Sequence, residues 1–306
     1  MKKHQDELKR SRFHNNVAKW VGIGIALFLI FAALFGAATA TAEPLKMVRF
    51  NRQETNENVA QLLERQKIDG HRMDELSRVV AESQYGRSLP RVKVPHGPLV
   101  CRELFAYRAN GKTKQPDWVA YIVALERFDN HPQRRRNWHN ASCVYPELVL
   151  ESRPDDFGGT SETDRPSDRG HTNPLASVSS HPAWASVNEY GTIVIQSPGA
   201  NRGPVLGWEE SNRDFARNGH TPFCVVVPIY DHPDVEPEQV PELTHADEGY
   251  TAPEAFGLVS RFPRGSDLAD SVYCYIVPQT AKQTDNFRTF ATSLEAVEEM
   301  SGVDLR

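Results

Sequence analysis

An uncharged, apolar segment near the N-terminus is the feature that most constrains how this chain can fold. Residues 20–42 contain no Asp, Glu, Lys or Arg. As a helix that rises about 1.5 Å per residue, a segment of this length spans a hydrocarbon core of about 30 Å. Basic residues outnumber acidic ones in the preceding residues 1–19, so we expect a cytoplasmic leader followed by a transmembrane anchor. The globular part of the protein is then confined to the residues after the anchor.

A cleaved signal peptide is the alternative to an anchor at residues 20–42. Ala40-Thr41-Ala42 has the small-x-small pattern that signal peptidases cleave. The long polar leader and the long apolar run favour the uncleaved anchor instead. Either alternative places the remainder of the chain outside the cytoplasm, facing the periplasm or another extracytoplasmic space, and a cleaved segment would release it as a secreted protein.

Residues 43–94 are predicted to form a helical stalk or linker, and residues 95–306 a folded domain. Apolar residues recur at three- and four-residue steps over residues 55–83, with a break at Gly70. Because this break interrupts any heptad repeat, a helix that covers one flank of the domain is favoured over a coiled coil.

The domain itself combines strand-like and helical segments, which indicates an α+β fold. Compact apolar runs at Trp118–Leu125, Phe223–Ile229 and Val272–Val277 predict strands. A final helix is predicted over Ser293–Met300, with Thr292 and Glu295 as a capping box and Gly302 as the stop.

Charge and cysteine content narrow the class of protein. The net charge of −5 argues against a nucleic-acid binder that works through global charge, but it allows a local cationic groove. Arg134-Arg135-Arg136 is the best candidate for such a groove, with a solvated loop as the alternative for Arg134 and Arg135. Four cysteines fit an exported domain with up to two disulfides, although Cys224 and Cys274 fit buried thiols equally well.

The tetrapeptide Asp168-Arg169-Gly170-His171 is the strongest chemical signal in the chain. A neutral imidazole can take a proton from water, and a neighbouring guanidinium can stabilise phosphate charge. The motif therefore predicts phosphodiester chemistry, with His171 as the general base.

This motif and the blocks around it resemble the DNA/RNA non-specific endonuclease family, the ββα-metal or His-Me finger nucleases that include the endonuclease G type. The blocks occur in the family's order between Pro95 and Arg306: Arg136-Asn137-Trp138, Trp184–Asn188, Gln196-Ser197-Pro198, Val225–Tyr230 and Tyr273–Gln279. The resemblance implies a ββα-metal nuclease fold with a largely antiparallel central sheet, and cleavage of the DNA and RNA backbone. It also implies phosphate contacts from Arg136 and Arg169, and one Mg²⁺ ion, for which Mn²⁺ could substitute.

Two alignments compete for the metal ligand that the resemblance implies. In the first, Asn201 holds the ion, Glu209 orients a metal-bound water and Arg213 assists the leaving group. Their spacing of eight and twelve residues keeps them on one side of a continuous helix, with Asn201 as the N-cap and Pro204 in the first turn. In the second, Trp208 matches the family tryptophan, and Pro204 then falls at the ligand position and offers no side-chain oxygen.

Three functions are compatible with this pattern. The first is a membrane-tethered, metal-dependent endonuclease acting on DNA and RNA. The second is a catalytically degenerate protein of the same fold that binds nucleic acid or a partner. The third is a phosphodiesterase for smaller phosphate esters. Ile195 departs from the family, which usually has asparagine three residues before the proline, and Gln196 could supply that amide instead.

Overall fold

The computed structural model describes residues 78–79, 82, 88–129, 134, 136–139, 167–241, 251–263, 267–269 and 271–306. All of these residues belong to one compact unit, Lys67–Arg306. The predicted leader, the anchor, most of the stalk and the loop before the Asp-Arg-Gly-His motif lie outside the described residues. Of the predicted stalk helix, Arg78, Val79 and Glu82 are described, and all three are helical. None of the helices among the described residues is long and apolar enough to cross a membrane.

A seven-stranded, entirely antiparallel sheet forms the centre of this unit, as the α+β prediction required. Its spatial order is β10-β9-β8-β7-β4-β3-β2. A separate hairpin consists of β5 and β6, and β1 pairs with β11. The strands are β1 Arg91–Val92, β2 Leu99–Cys101, β3 Phe105–Ala109, β4 Pro116–Ile122, β5 Asp168–His171, β6 Ile193–Gln196, β7 Phe223–Ile229, β8 Ala255–Arg261, β9 Val272–Pro278, β10 Ala291–Thr292 and β11 Val303–Asp304.

Among the described residues, two longer α-helices and several 3₁₀ turns cover the sheet. The longer helices are α1, Leu206–Arg217, and α2, Leu294–Ser301. A single α-helical turn, Pro198–Ala200, and a π-helical turn, Asn201–Val205, precede α1. The 3₁₀ turns are Leu125–Arg127, Leu175–Ser177, Trp184–Asn188, Tyr190–Thr192, Pro237–Gln239 and Phe287–Phe290.

Both faces of the sheet are buried, which explains why the central strand β7 is apolar at every position. Alternate residues of β7 enter different core clusters: Cys224 and Val226 join the cluster that contains Trp208 of α1, whereas Phe223 joins the one that contains Val297 of α2. Gly257 lies directly under α2, where an added Cβ would meet Val297 Cγ1 at 2.6 Å. The sheet therefore separates α1, on one face, from α2 on the other.

The three predicted strands are present in the structure, but the bounds of two of them differ. Phe223–Ile229 is a strand over its whole predicted length, and the predicted strand at Val272 continues one residue further, to Pro278. The prediction that the strand from Trp118 runs to Leu125 is wrong, because β4 ends at Ile122. Ile122 pairs with Phe223, the first residue of β7, so the partner strand offers no ladder beyond that point.

The prediction of a capping box at the last helix is wrong. Ser293, not Thr292, is the N-cap, and its Oγ accepts the N–H of Ala296 at 3.1 Å. Thr292 is instead paired with Cys274 in β10. Gly302 ends the helix in the left-handed conformation at φ 68°, as predicted.

The two-disulfide alternative is wrong. Cys224 and Cys274 carry free thiols, which excludes a second disulfide, and Cys143 lies outside the described residues. Cys224 and Cys274 are buried between the sheet and its covering layers, so both behave as small apolar core residues.

Candidate active site

The Asp-Arg-Gly-His motif forms strand β5 of the two-stranded hairpin. It pairs with β6 over its whole length, with Asp168 opposite Gln196 and His171 opposite Ile193. Because side chains alternate along a strand, Arg169 and His171 share one face of the hairpin, and Asp168 shares the other face with Gly170. Four consecutive residues thus contribute to two different surfaces.

Packing explains the glycine of the motif. A Cβ at Gly170 would collide with Oε1 and Cδ of the Gln196 side chain, which lies across it. Gln196 is buried, and its Oε1 accepts no hydrogen bond from the described residues. The predicted stand-in amide of Gln196 therefore packs on the face of the hairpin opposite His171.

His171 is held in one orientation by a buried asparagine. Its Nε2 lies 3.0 Å from Oδ1 of Asn188, and its ring centroid lies 4.9 Å from that of Trp138. With an amide oxygen as the partner, Nε2 carries the proton and donates it, which leaves Nδ1 as the basic nitrogen.

The imidazole of His171 is uncharged at neutral pH. Burial is the main cause that lowers its pKa from 6.5 to about 4; the bond to Asn188 raises the pKa, and the charge of Arg136 lowers it. A ring that is neutral at pH 7 is in the correct state to accept a proton from water.

The two predicted phosphate-binding arginines relate to His171 in different ways. Arg169 Cζ is 5.8 Å from the ring centroid of Trp138, which also stacks at 6.4 Å on Tyr190. Arg136 is exposed, and its charge lowers the pKa of His171. Arg169 thus lies beside the indole ring that contacts His171, and Arg136 acts on the imidazole through its charge.

Arg134 is anchored in the fold rather than free in a solvated loop. Its Nε donates to the carbonyl oxygen of Ser179 at 2.8 Å, and its Cζ lies 4.9 Å from the ring centroid of Trp184. Arg135 lies outside the described residues, so its predicted part in a cationic groove stays a prediction.

The helix after the hairpin begins earlier than predicted. Ser197 is the N-cap, and its Oγ accepts the N–H of Ala200 at 3.2 Å. Ser197 followed by Pro198 is a stronger helix start than Asn201, because a hydroxyl caps the turn and proline needs no N–H partner at its first position. The predictions that Asn201 is the N-cap and that Pro204 lies in the first turn are therefore wrong.

A kink separates Asn201 from α1. Gly203 has φ −111° and ψ −106°, outside the helical region, and Pro204 follows it without an N–H group. A Cβ at Gly203 would meet the backbone of Gln283 at 2.7 Å, so the chain passes too close for a larger residue. The continuous helix assumed for the eight- and twelve-residue spacing is interrupted here.

Asn201 contacts the hairpin through Asp168. Its Nδ2 donates to Asp168 Oδ2 at 2.8 Å, and Arg202 donates to both oxygens of the same carboxylate, with Nε at 2.8 Å and Nη2 at 2.6 Å. Because the amide nitrogen faces Asp168, the amide oxygen of Asn201 points elsewhere. Asp168 therefore joins β5 to the helical turn and fixes which amide atom of Asn201 can face a cation.

Glu209 and Arg213 form a largely buried pair on α1. Nη1 of Arg213 lies 4.0 Å from Oε2 of Glu209 and donates to Oγ of Ser177 at 3.3 Å. Burial raises the pKa of Glu209 to about 8; Arg213 opposes this rise and Glu210 adds to it. The pair faces the segment that follows His171, whereas Asn201 faces Asp168.

The donor set suits one hydrated, oxygen-preferring ion. Among the residues that the structure describes, no group of three or more His, Cys, Asp or Glu side chains could hold a metal. A cation at this place would therefore depend on the amide oxygen of Asn201 and on water, which Mg²⁺ retains readily. Pro204 is buried and has no side-chain oxygen to offer. The residues fit the first alignment better than the second.

Sequence reasoning missed two residues that organise the site. Asn188 lies in the Trp184–Asn188 block that carries part of the family resemblance, but only the 3₁₀ turns between β5 and β6 bring its amide to His171. Arg202, next to Asn201, gave no signal beyond its charge, because its partner Asp168 is distant along the chain.

Three comparisons with known proteins agree with this geometry. A family model described as DNA/RNA non-specific endonuclease matches residues 90–306. The nuclease of Serratia marcescens is 23% identical over 206 residues, which cover 67% of this chain and 73% of that protein. A solved EndoG/EndoGI complex, titled for the mechanism of EndoG inhibition, has a TM-score of 0.55 at 15% identity, and the match covers 70% of this chain and 87% of that chain. The last likeness concerns the fold alone.

Proposed function

Because this chain belongs to the DNA/RNA non-specific endonuclease family and is a phosphodiester hydrolase of that class, we propose that His171 is its general base and Asn201 its ligand for one Mg²⁺. The observation that carries this proposal is the neutral imidazole of His171, with Nε2 bound to Asn188 and two guanidinium groups nearby. Contacts to phosphate without base readout account for the lack of sequence preference in such an enzyme.

His171 would start the reaction by removing a proton from water at Nδ1. The hydroxide so formed attacks the phosphorus atom, the bond from phosphorus to the leaving sugar oxygen breaks, and that oxygen takes up a proton from solvent. A positioned general base contributes about 10²–10⁴-fold to such a reaction. Arg136 and Arg169 would bind the non-bridging oxygens, because a planar guanidinium matches their geometry.

Asn201, Glu209 and Arg213 would stabilise charge on the phosphate and orient the reacting groups. Mg²⁺ bound at Asn201, or Mn²⁺ in its place, would stabilise charge on the scissile phosphate and on the leaving oxygen. We assign the orientation of a metal-bound water to Glu209 and assistance of the leaving group to Arg213. Their burial and their position beside the segment after His171 support these roles.

Nicking of a supercoiled plasmid by the full chain tests the proposal. We expect cleavage of DNA and of RNA with Mg²⁺, none with a chelator, and a loss of about 10²–10⁴-fold in His171→Ala. His96→Ala, a histidine substitution outside the hairpin, is the matched control and should cleave normally. Retained cleavage in His171→Ala would refute the assignment of the base.

A catalytically degenerate binding protein is the second candidate function. Two departures from the family pattern favour this second function. Ile195 lies where the family usually has asparagine three residues before the proline, and in the second alignment Pro204 lies where the family has its asparagine ligand. Binding of the plasmid without nicking, at any Mg²⁺ or Mn²⁺ concentration, would support this function and exclude the first.

We further propose that residues 20–42 anchor the enzyme in the membrane with the nuclease domain outside the cytoplasm. The uncharged run and the basic leader support this location. Extraction of cell membranes at alkaline pH should leave the full chain in the pellet, and deletion of residues 1–42 should release it. Recovery of a shortened, soluble chain from the medium would indicate a cleaved signal instead.

A further inference from the structure

The outer edge of the catalytic hairpin is bound by two buried glutamine side chains instead of a strand. The N–H of Ile195 donates to Gln115 Oε1 at 3.2 Å, and the carbonyl oxygen of Ile195 accepts from Gln279 Nε2 at 2.9 Å. In an antiparallel pair, alternate residues direct both backbone groups away from the partner strand. The two glutamines thus occupy the place where another strand would pair with β6.

Gln279 also binds the start of the helix that carries Asn201. Its Oε1 accepts the N–H of Ser197 at 2.7 Å, and its backbone carbonyl oxygen accepts from Ser197 Oγ at 2.5 Å. Ser197 caps this helix, and its carbonyl oxygen accepts the N–H of Asn201 at 2.9 Å. One side chain therefore contacts both the end of the hairpin and the beginning of the helix.

Both glutamines are anchored in the main body of the fold. Gln279 directly follows β9, and its Nε2 also donates to the carbonyl oxygen of Pro253 at 3.0 Å. Gln115 directly precedes β4, and its Nε2 donates to the carbonyl oxygen of Thr251. Their exposures of 2% and 1% mean that water cannot replace these bonds without opening the fold.

We propose that Gln279, assisted by Gln115, is a positioning residue that sets the separation between His171 on the hairpin and Asn201 on the helix. This inference rests on the proposed function of those two residues. A shift of about 1 Å between catalytic groups can lower the rate about 100-fold. Arg169, which would bind the substrate phosphate, pairs with Ile195 and would move with His171, whereas Arg136 lies outside the hairpin. The effect should therefore be larger on kcat than on KM.

The variant Gln279→Glu tests the proposal because it preserves the size of the side chain and the acceptor for Ser197. It removes the donor to Ile195 and Pro253. We expect kcat for plasmid cleavage to fall about 100-fold with a smaller change in KM for DNA, and a smaller fall in kcat in Gln115→Ala, which leaves Gln279 in place. Gln283→Glu, an exposed glutamine four residues further on, is the matched control and should behave as the wild type. Wild-type kcat in Gln279→Glu, or a raised KM alone, would overturn the proposal.

A titration of the His171 ring by NMR, without substrate or metal, separates this inference from the proposed function. If the hairpin moves and the ring is hydrated, the pKa of His171 should rise in Gln279→Glu from about 4 towards 6.5, whereas Gln283→Glu leaves it unchanged. Absence of cleavage by the wild type would refute the proposed function, and the titration would still decide the positioning role. An unchanged His171 pKa in Gln279→Glu would refute that role. Should Gln279→Glu not fold, Gln115→Ala serves in the same titration, and an unchanged pKa there has the same meaning.

Discussion

The hairpin of β5 and β6, which carries His171, and the helix that follows it differ in how well their sequence patterns predict their structure. In the hairpin, all four motif residues pair with β6, and the faces of β5 alternate as its sequence predicts. In the helix, an α-helical turn, a π-helical turn and α1 succeed one another around Gly203. Along a strand, the face on which a side chain lies depends only on whether its position is odd or even. Around a helix, the direction of a side chain depends on the rotation summed over all preceding residues. One kink therefore changes the direction of every later side chain relative to the earlier ones. The spacing of Asn201, Glu209 and Arg213 across the kink does not predict that they face one side.

The proposed metal ligand, Asn201, gives the sharpest test of this difference. Asn201→Ala should reduce plasmid cleavage about 1000-fold, because a group that stabilises transition-state charge is lost. Addition of Pro204→Asn to this variant should not restore activity if the first alignment is correct. Cleavage rates over a range of Mg²⁺ concentrations measure both effects, with Asn218→Ala, an exposed asparagine at the end of α1, as the control. Recovery in the double variant would show that Pro204 holds the ligand position.

In the hairpin region, we expect Asn188 to control the orientation and the protonation of the His171 imidazole. Asn188→Ala should lower kcat about 10- to 100-fold, a part of what a positioned base supplies. In the wild type, kcat/KM should fall only below about pH 4, because the folded pKa of His171 is about 4. Asn188→Asp places a carboxylate beside the imidazole, which raises its pKa and moves this acid limb to higher pH. A wild-type limb near pH 6.5 would contradict the burial of the ring.

The two regions should also differ in how pH affects stability. The folded pKa of His171 is about 4, below its unfolded value of 6.5, so its contribution to stability rises with pH between these values. The folded pKa of Glu209 is about 8, above its unfolded value of 4.5, so its contribution falls as pH rises to 8. The two effects oppose one another below pH 6.5, and above it Glu209 acts alone, at about 1.4 kcal/mol per pH unit.

Urea unfolding at pH 6.5 and pH 8 measures this difference. The wild type should lose about 2 kcal/mol of unfolding free energy over this interval. Glu209→Gln, which cannot ionise, should lose much less, with Glu238→Gln, an exposed glutamate, as the control. Equal losses in Glu209→Gln and in the wild type would show that the carboxyl is ionised at neutral pH.

The smallest effect is expected at the junction of the two regions. Arg202 is 57% exposed, so its ion pair with Asp168 is screened by solvent and worth about 0–1 kcal/mol. Arg202→Ala should leave cleavage within about threefold of the wild type, because Asp168 still accepts from Asn201. Arg217→Ala, an exposed arginine paired with Asp214, is the control for the loss of charge. A loss of cleavage beyond tenfold in Arg202→Ala alone would assign Arg202 to the site.

Much of the fold and part of the site could be predicted from the sequence alone. Apolar runs predicted the strand Phe223–Ile229, because a strand buried on both faces is apolar throughout. The motif at His171 predicted a base from its residue types alone, since a neutral imidazole can take a proton from water. The end of β4 could not be predicted, because the extent of its partner strand decides it.

Only the tertiary structure decided how the catalytic groups are oriented. Asn188 reaches His171, Asp168 binds Asn201, and Gln279 joins the hairpin to the helix, all through contacts between residues at least 17 positions apart in the chain. The sequence by itself determined which chemical groups are present and which faces of the strands carry them. Their protonation, the amide atom that Asn201 can present and the distance between hairpin and helix depend on burial and on long-range hydrogen bonds, and these exist only once the chain has folded.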